Sequence, residues 1–417
     1  MTSPTLPRGK DPAAGRVSRQ MQRSVVRGVV AALGLTALTG CTGLEPKAVD
    51  AVVGSAYRPT VMPVTTPPAP SYELLAGDLH CHINPPDFAP HVIRDLDSTV
   101  ELAEREGLDF VVLTPHVWAR FSHDETLRER LLTSQAALRR QVAALPPGGR
   151  TAFIVGFEYS DGYYGHVGAS FGDLEGTLAG LSVAEAREHP EAFFERYVAS
   201  GGFLVVNHPF TTPVDFPVPI ARADLSWRPF TSTGPFPPEI EAVRRLALGY
   251  EAFNLTTTEL RDRFLLRDRQ YSIRTTLARL DQEILATHRP MFPVGGSDSH
   301  GHSLRATTFV LSTGRSPAQI REALGAGRVC IRSPSACSLQ ARVNDGAWVP
   351  IGTRLRGSRV EVRAQGSHVE VVRNGKLAGR GDGGAVVSVD TPPDECSVLR
   401  ASVDEGESAP IYVNCAL

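Results

Sequence analysis

Twelve histidines stand in this 417-residue chain, and their places relative to short apolar runs carry its chemistry. In Gly77-Asp78-Leu79-His80-Cys81-His82 two imidazoles are two residues apart, so on a strand both face one side and can grip one metal ion. An isolated H-x-H is as often a pair of surface or core histidines. This one has company. His116 follows the apolar run Leu108–Thr114, Glu158 follows Thr151–Val155 with His166 eight residues on, His208 follows Phe203–Val206, and Asp298 and His300 follow Met291–Val294. Each sits at the carboxyl end of a predicted strand, the edge where parallel α/β barrels place active sites. Six histidines and two carboxylates converging on one mouth are electrostatically untenable without cations, which makes a multinuclear metal site the physical reading. Two cations sharing a carboxylate lower the pKa of a water held between them and neutralise developing oxyanion charge, which is hydrolytic chemistry. Arg120, just past His116, is a candidate clamp for an anionic group, although an exposed arginine at a helix start is the commoner occurrence.

These residues need elements to hold them. Helical stretches are predicted at Asp97–Glu106, Asp124–Ala144, Ser182–Ala199, Ser272–Thr287 and Pro317–Gly325, alternating with the strands above and with Gly249–Phe253. Such alternation predicts a parallel sheet, closed into a barrel at this length, over residues 72–335. Beyond Ser338 the pattern changes to period-two strands without helices, at Leu339–Val343, Val360–Ala364, Val369–Arg373, Val386–Val389, Ser397–Val403 and Ile411–Val413. A small C-terminal β-sandwich is the expectation for 336–417.

The 43 basic and 45 acidic residues give a formal charge of −2, so bulk charge predicts no binding to nucleic acid. At the N-terminus, Arg16, Arg19, Arg23 and Arg27 precede apolar Val29–Ala37, and Leu38-Thr39-Gly40 precedes Cys41. The apolar run Val25–Thr39 falls short of the roughly 20 residues of a spanning helix, which makes residues 1–40 a signal peptide. Leu38-Thr39-Gly40-Cys41 resembles a bacterial lipobox, whose cysteine is lipidated; an ordinary signal peptide with an incidental cysteine is the alternative. Residues 41–71 are a Pro-rich tether, and the mature protein is expected to be extracytoplasmic, lipid-anchored to a bacterial membrane through Cys41. Export permits disulfides. Cys396 and Cys415 stand symmetrically about a predicted two-residue turn at Glu405-Gly406, and Cys330 and Cys337 about one at Ser333-Pro334, so both pairs are expected to bond. Cys81 is then free and turned away from the metal face.

Six motifs occur in order: Asp78-Leu-His80-Cys-His82, Thr114-Pro-His116, Gly156-Phe-Glu158, His166-Val167, Asn207-His208-Pro209 and Gly296-Ser-Asp298-Ser-His300. Together they resemble the PHP (polymerase and histidinol phosphatase) superfamily of metal-dependent hydrolases, from Gly77 to about Arg332. Arg315–Arg328 followed by a β-sandwich looks like its carbaryl-hydrolase-like branch, here as a bacterial lipoprotein. The resemblance implies a distorted seven-stranded (β/α) barrel and a trinuclear cluster. His80, His82, Glu158 and Asp298 would hold one metal. Glu158 would bridge to a second, held by His166 and His208. His116, His300 and Asp87 would hold the third; Pro86-Asp87 matches the family's spacing although Phe88 replaces the usual Gly, and His91 is the alternative to Asp87.

Two or three divalent ions, Zn, Mn or Fe(II), are therefore expected, because His with carboxylate suits each. Glu158 and Asp298 are the expected catalytic carboxylates, with Arg120 beside them. The expected activity is phosphoester hydrolysis of a small-molecule substrate by a metal-bridging hydroxide. Carbamate or carboxylic ester hydrolysis at the same site is the alternative chemistry. A surface binding protein with a vestigial barrel is the alternative of another class. Glu251 and Asn254 also follow a strand and receive no ligand role.

Overall fold

The computed structural model describes residues 72–210, 214–215, 222–223, 226–257, 271–301 and 303–417. The expected signal peptide, Cys41, the expected Pro-rich tether and His302 lie outside the described residues. The fold is mixed α/β. In the first part of the chain the strands are β1 Glu73–Cys81, β2 Phe110–Leu113, β3 His116–Trp118, β4 Ala152–Val155, β5 Phe157–Asp161, β6 Gly165–Ser170 and β7 Phe203–Val206. Next come β8 Val214–Asp215 and β9 Arg222–Ala223, which pair antiparallel with each other, then β10 Gly249–Asn254, β11 Phe292–Gly296, β12 Thr308–Ser312 and β13 Val329–Ile331. The remaining strands are β14 Gln340–Arg342, β15 Val349–Pro350, β16 Arg354–Leu355, β17 Arg359–Arg363, β18 Val369–Arg373, β19 Lys376–Arg380, β20 Val387–Asp390, β21 Ser397–Val403, β22 Gly406–Ser408 and β23 Ile411–Val413.

Both faces of the central strands are buried, which is why they read as continuous apolar runs rather than alternating ones. In β2, Phe110 and Val112 enter one apolar cluster with Leu75, Ile154 and Val294, while Val111 and Leu113 enter another with Leu102, Leu138 and Phe309. The helix Leu96–Arg105 is capped by Asp95, whose carboxylate accepts from Ser98 N, and buries Leu96, Thr99, Leu102 and Ala103. The stretch expected as one helix at 182–199 is two, Val183–Glu188 and Ala192–Ala199, because Pro190 cannot continue the first and biases His189 away from helical backbone.

The expected closed parallel barrel is not the pairing formed by the described residues. One sheet runs β16-β23-β21-β22-β13-β12-β1-β2-β4, with β18 and β19 branching from β21; a second runs β11-β10-β7-β6-β5-β3. Pro115 sits between β2 and β3 and has no N–H, so the ladder divides there: Gly156 N bonds Leu113 O in one sheet and Glu158 N bonds Pro115 O, both at 2.9 Å, at the start of the other. At the far edge the chain just past β11 meets the end of β1 through the isolated Cys81–Ser299 bridge and a 2.8 Å bond from Asp298 N to His80 O. Nor is the second sheet all parallel. Asp161 Oδ1 accepts from Tyr163 N and Tyr164 N, and Gly165 takes φ +107°, so the chain reverses and β6 pairs antiparallel with β5 and with β7.

The C-terminal strands form sheets as expected, but one of them is continuous with the first sheet: Cys330 and Ile331 of β13 pair with Ser408 and Glu407 of β22. The other contains β15, β14, β17 and β20. Both disulfides are present, Cys330–Cys337 and Cys396–Cys415, and Cys81 is free and buried.

Candidate metal centre

Parallel and antiparallel registers bring the ligand-type side chains together. β3 pairs β5 with His116 opposite Glu158, and β5 pairs β6 with Ser160 opposite His166. His80 and His82 leave β1 on one face, their Nε2 atoms 3.2 Å apart, while Cys81 between them turns into the apolar cluster with Leu96 and Leu102. His208 and Asp298 take left-handed backbone, φ 30° and 51°, at sharp turns just past β7 and β11.

Glu158 is the hub. Its Oε1 lies 3.0 Å from His80 Nε2, 3.3 Å from His166 Nδ1 and 3.9 Å from His208 Nε2. Its Oε2 lies 3.5 Å from His116 Nε2 and 3.8 Å from His82 Nε2. Asp298 Oδ1 is 3.1 Å from His82 Nε2 and 3.5 Å from His80 Nε2. Three groups of ligand atoms follow, each with its atoms within 4.8 Å of one another: Glu158, His166 and His208; His80, His82 and Asp298; and His82, His116 and His300. The groups overlap through His82 and meet at Glu158.

Protonation follows from charge. Burial opposes ionisation of Glu158, yet His166 and His80 beside it hold its carboxyl well below the usual range. Asp298 is likewise held low against burial, chiefly by His80 and His82. Burial disfavours charge on His80, but Asp298, Glu251 and Glu158 hold its pKa well up, and His82 rises to about 9 beside Asp298 and Asp87. Burial and their histidine neighbours push His116, His208 and His300 down, leaving neutral rings with lone pairs to donate. His300 Nε2 is buried without a hydrogen-bond partner. An orphaned neutral imidazole nitrogen amid ionised carboxylates is costly on its own and fits a cation.

Of the other expected residues, Asp87 reaches the site on the Nδ1 side of two rings, 3.0 Å from His116 and 3.3 Å from His82, where a carboxylate orients ligands. His91 also arrives, its ring 4.9 Å from that of His116 and 4.8 Å from that of His300. Arg120 is exposed at a left-handed turn, and no hydrogen bond or ion pair joins it to the cluster among the described residues.

Several residues with no role expected from sequence support the ligands. Glu251 accepts from His80 Nδ1 at 3.0 Å and, through its other oxygen, from His208 N at 2.7 Å and Asn254 Nδ2 at 3.0 Å. Asn254 also donates to Asp298 Oδ2 at 3.2 Å, and Asn207 donates to Glu158 Oε1 at 2.8 Å. Asp78 accepts from Ser297 N at 2.8 Å and Thr307 Oγ1 at 3.3 Å; burial raises its carboxyl to about 6.

No family model and no curated protein matches the chain. Among solved structures, PsfC from Pseudomonas syringae PB-5123 is 19% identical and overlaps 58% of this chain and 84% of its own, with a TM-score of 0.34. An Endonuclease Q bound to duplex DNA with an abasic lesion is 15% identical over 60% and 56%, with a TM-score of 0.34. An amidohydrolase from Chromobacterium violaceum is 14% identical over 62% and 99%, with a TM-score of 0.31. At these scores the overlaps are partial, and the chemistry of the site rests on its own geometry.

Proposed function

We propose that the chain is a metal-dependent hydrolase of the PHP kind that cleaves a phosphate ester outside the cytoplasm, anchored by a lipidated Cys41. The observation that carries the reading is Glu158, one buried carboxylate with five histidines around it and Asp298 across the cluster. Glu158, His166 and His208 would hold one cation, His80, His82 and Asp298 a second, and His82, His116 and His300 a third. Bound divalent ions would supply an acidified water and positive charge for a developing oxyanion.

The chain's own residues do the rest. Glu251 fixes the His80 ring with Nε2 toward Glu158, and Asp87 holds His116 by its Nδ1 and lies 3.3 Å from His82 Nδ1. Continuity of β4 into β5 at Gly156 and the Cys81–Ser299 bridge support reading the two sheets as one distorted barrel, opened where Pro115 interrupts the ladder. Two disulfides support export to an oxidising compartment.

A phosphate monoester carries more negative charge than a carboxylic ester or carbamate, so it depends more on the cation held by His116 and His300. The test is metal analysis of the purified chain, then an aryl phosphate, an aryl ester and an aryl carbamate at equal metal loading. Glu158→Ala should abolish all turnover and His116→Ala should reduce phosphoester turnover most. Carbamate turnover with none on any phosphoester would replace the first reading, and no turnover by metal-loaded protein would remove the enzyme reading. Mass spectrometry of the mature N-terminus should find a diacylglyceryl-cysteine at Cys41.

A further inference from the structure

The loops that follow β1 and β11 share one fastening. Arg94 lies in the extended segment before the helix Leu96–Arg105 and is 1% exposed. Its Nε donates to Thr99 Oγ1 at 3.0 Å. One terminal nitrogen donates to Ser299 Oγ at 2.8 Å, to the Gly301 carbonyl and, at 3.4 Å, to the Ser303 carbonyl. The other meets Cys81 Sγ at 2.9 Å, the His82 carbonyl at 3.1 Å and the Ser299 carbonyl at 3.4 Å. Apart from that sulfur, every acceptor is a hydroxyl or a backbone carbonyl. Among the described residues no carboxylate pairs with Arg94.

A buried guanidinium without a counter-charge is an expensive structural device, and an apolar side chain could fill the space at lower cost. What distinguishes Arg94 is what its acceptors belong to. His82 is a ligand-type residue, Ser299 lies between Asp298 and His300, and Gly301 follows His300 directly. Backbone bonds run the same way: His82 N to Ser299 O, Ile93 N to His300 O, both at 3.1 Å, and Asn84 N to Arg94 O at 2.8 Å. A lysine has three donors at one point and cannot span acceptors on both loops. Glu158, His166 and His208 are placed by the β5–β6–β7 pairings instead, and none of the Arg94 bonds reaches them.

We propose that Arg94 is a positioning residue that sets the cation affinity of the His82, His116 and His300 group, and of Asp298 beside it, independently of the Glu158, His166 and His208 group. This rests on the metal reading of the site but not on which ester, if any, is cleaved.

The test is Co²⁺ titration of chelator-stripped full-length protein, read by visible absorption and by elemental stoichiometry, for wild type, Arg94→Met, Arg94→Lys and Thr99→Val. Arg94→Met should weaken one class of Co²⁺ by at least about tenfold, the scale of lost outer-shell support, and leave another class unchanged. Millimolar guanidinium should restore the weakened class. Arg94→Lys should recover less than guanidinium does, and Thr99→Val, which removes the helix-side acceptor and the Thr99 hydroxyl's 2.6 Å bond to the Asp95 carbonyl, should bind like wild type. If Arg94→Met does not fold, Ser299→Ala, which removes one acceptor of Arg94 together with the Ser299 hydroxyl's bond to the Ser303 carbonyl, should weaken the same class by a smaller factor. Wild-type Co²⁺ affinities in Arg94→Met, or parallel weakening of every class, would overturn the assignment. Wild type that takes up no Co²⁺ would overturn both it and the metal reading; wild type that binds Co²⁺ and hydrolyses no ester would remove the hydrolase reading and leave the role of Arg94 standing.

Discussion

Glu251 shows how much of a candidate metal centre is decided one layer behind its ligand-type side chains. By accepting from His80 Nδ1 it fixes that ring's tautomer and leaves Nε2 toward Glu158 and Asp298, and its second oxygen holds the backbone of His208. Glu251→Gln keeps the size but turns one of the two accepting oxygens into an NH2 donor, so it can accept from His80 Nδ1 or from His208 N and Asn254 Nδ2, not from both sides. Metal affinity should drop about 10–100-fold, measured by chelator competition, with an unchanged far-UV spectrum; equal affinity would mean the ring is oriented by something else. Gly296→Ala tests the same contact from the other side, because a Cβ there would run into the Glu251 carboxylate and the His80 Cβ. It should lower both stability and metal affinity, seen in thermal melts with and without added metal. The clustered histidines and carboxylates were legible in the sequence because histidines at strand ends are unusual residues in unusual places. Glu251, Asn207, Asn254, Asp78 and Arg94 were not, since ordinary polar residues acquire these roles only through contacts with segments distant in the chain. Their local traces were slight: Asp78 and Asn207 stand inside the quoted motifs without a role of their own, and Glu251-Ala-Phe-Asn254 ends an apolar run.

At the scale of elements, local pattern found strands and helices better than their partners. Phe203–Val206, Val369–Arg373, Ser397–Val403, Ile411–Val413 and the helix Pro317–Gly325 fall where apolar period and turn residues place them. The β5–β6 reversal did not show, because its turn depends on the Asp161 side chain and on Gly165 within a short, weakly patterned segment. In the last hairpin the turn is Asp404-Glu405, one residue before the expected place: Val403 pairs with Gly406 and Ser402 with Glu407. The register then slips at Ala409-Pro410, between β22 and β23, so that Ser397 faces Val413 and the flanking Cys396 and Cys415 bond. A bond closing 19 residues constrains the unfolded chain, and its loss should cost about 2–4 kcal/mol. Cys396→Ser should therefore melt well below oxidised wild type, and a Cys396→Ser, Cys415→Ser double variant should match the single one. Equal melting of oxidised wild type and the variant would mean that the β21–β23 pairing alone fixes this edge.

For the whole molecule, the C-terminal strands are tied to the chain that carries Asp298. Arg400 of β21 makes two bonds, 2.7 and 2.8 Å, to Asp281 on the helix Tyr271–Thr287, and Tyr412 Oη donates to Met291 O at 2.8 Å. One apolar cluster contains Cys81 and Leu113 together with Val360, Val371 and Leu399. The β13–β22 pairing that joins the two parts has no local signature, being set by burial between segments far apart in sequence. Its partner Glu407 carries a titration that can be read. Glu407 is buried, with Ser402 Oγ donating to it at 2.9 Å and Arg400 3.7 Å away. Burial outweighs both and raises its pKa above the usual 4.5. A carboxyl whose pKa is higher in the fold than in the unfolded chain binds its proton more tightly when folded. Its contribution to stability is therefore complete below about pH 4.5 and lost as the pH rises through the folded value. Glu407→Gln removes that titration while keeping an oxygen for Ser402. In urea unfolding across weakly acidic to neutral pH, wild type should lose stability relative to Glu407→Gln as the pH rises. A difference that stays flat would mean that Arg400 keeps Glu407 ionised throughout; a difference that grows in favour of wild type would mean that the Arg400 pair outweighs burial.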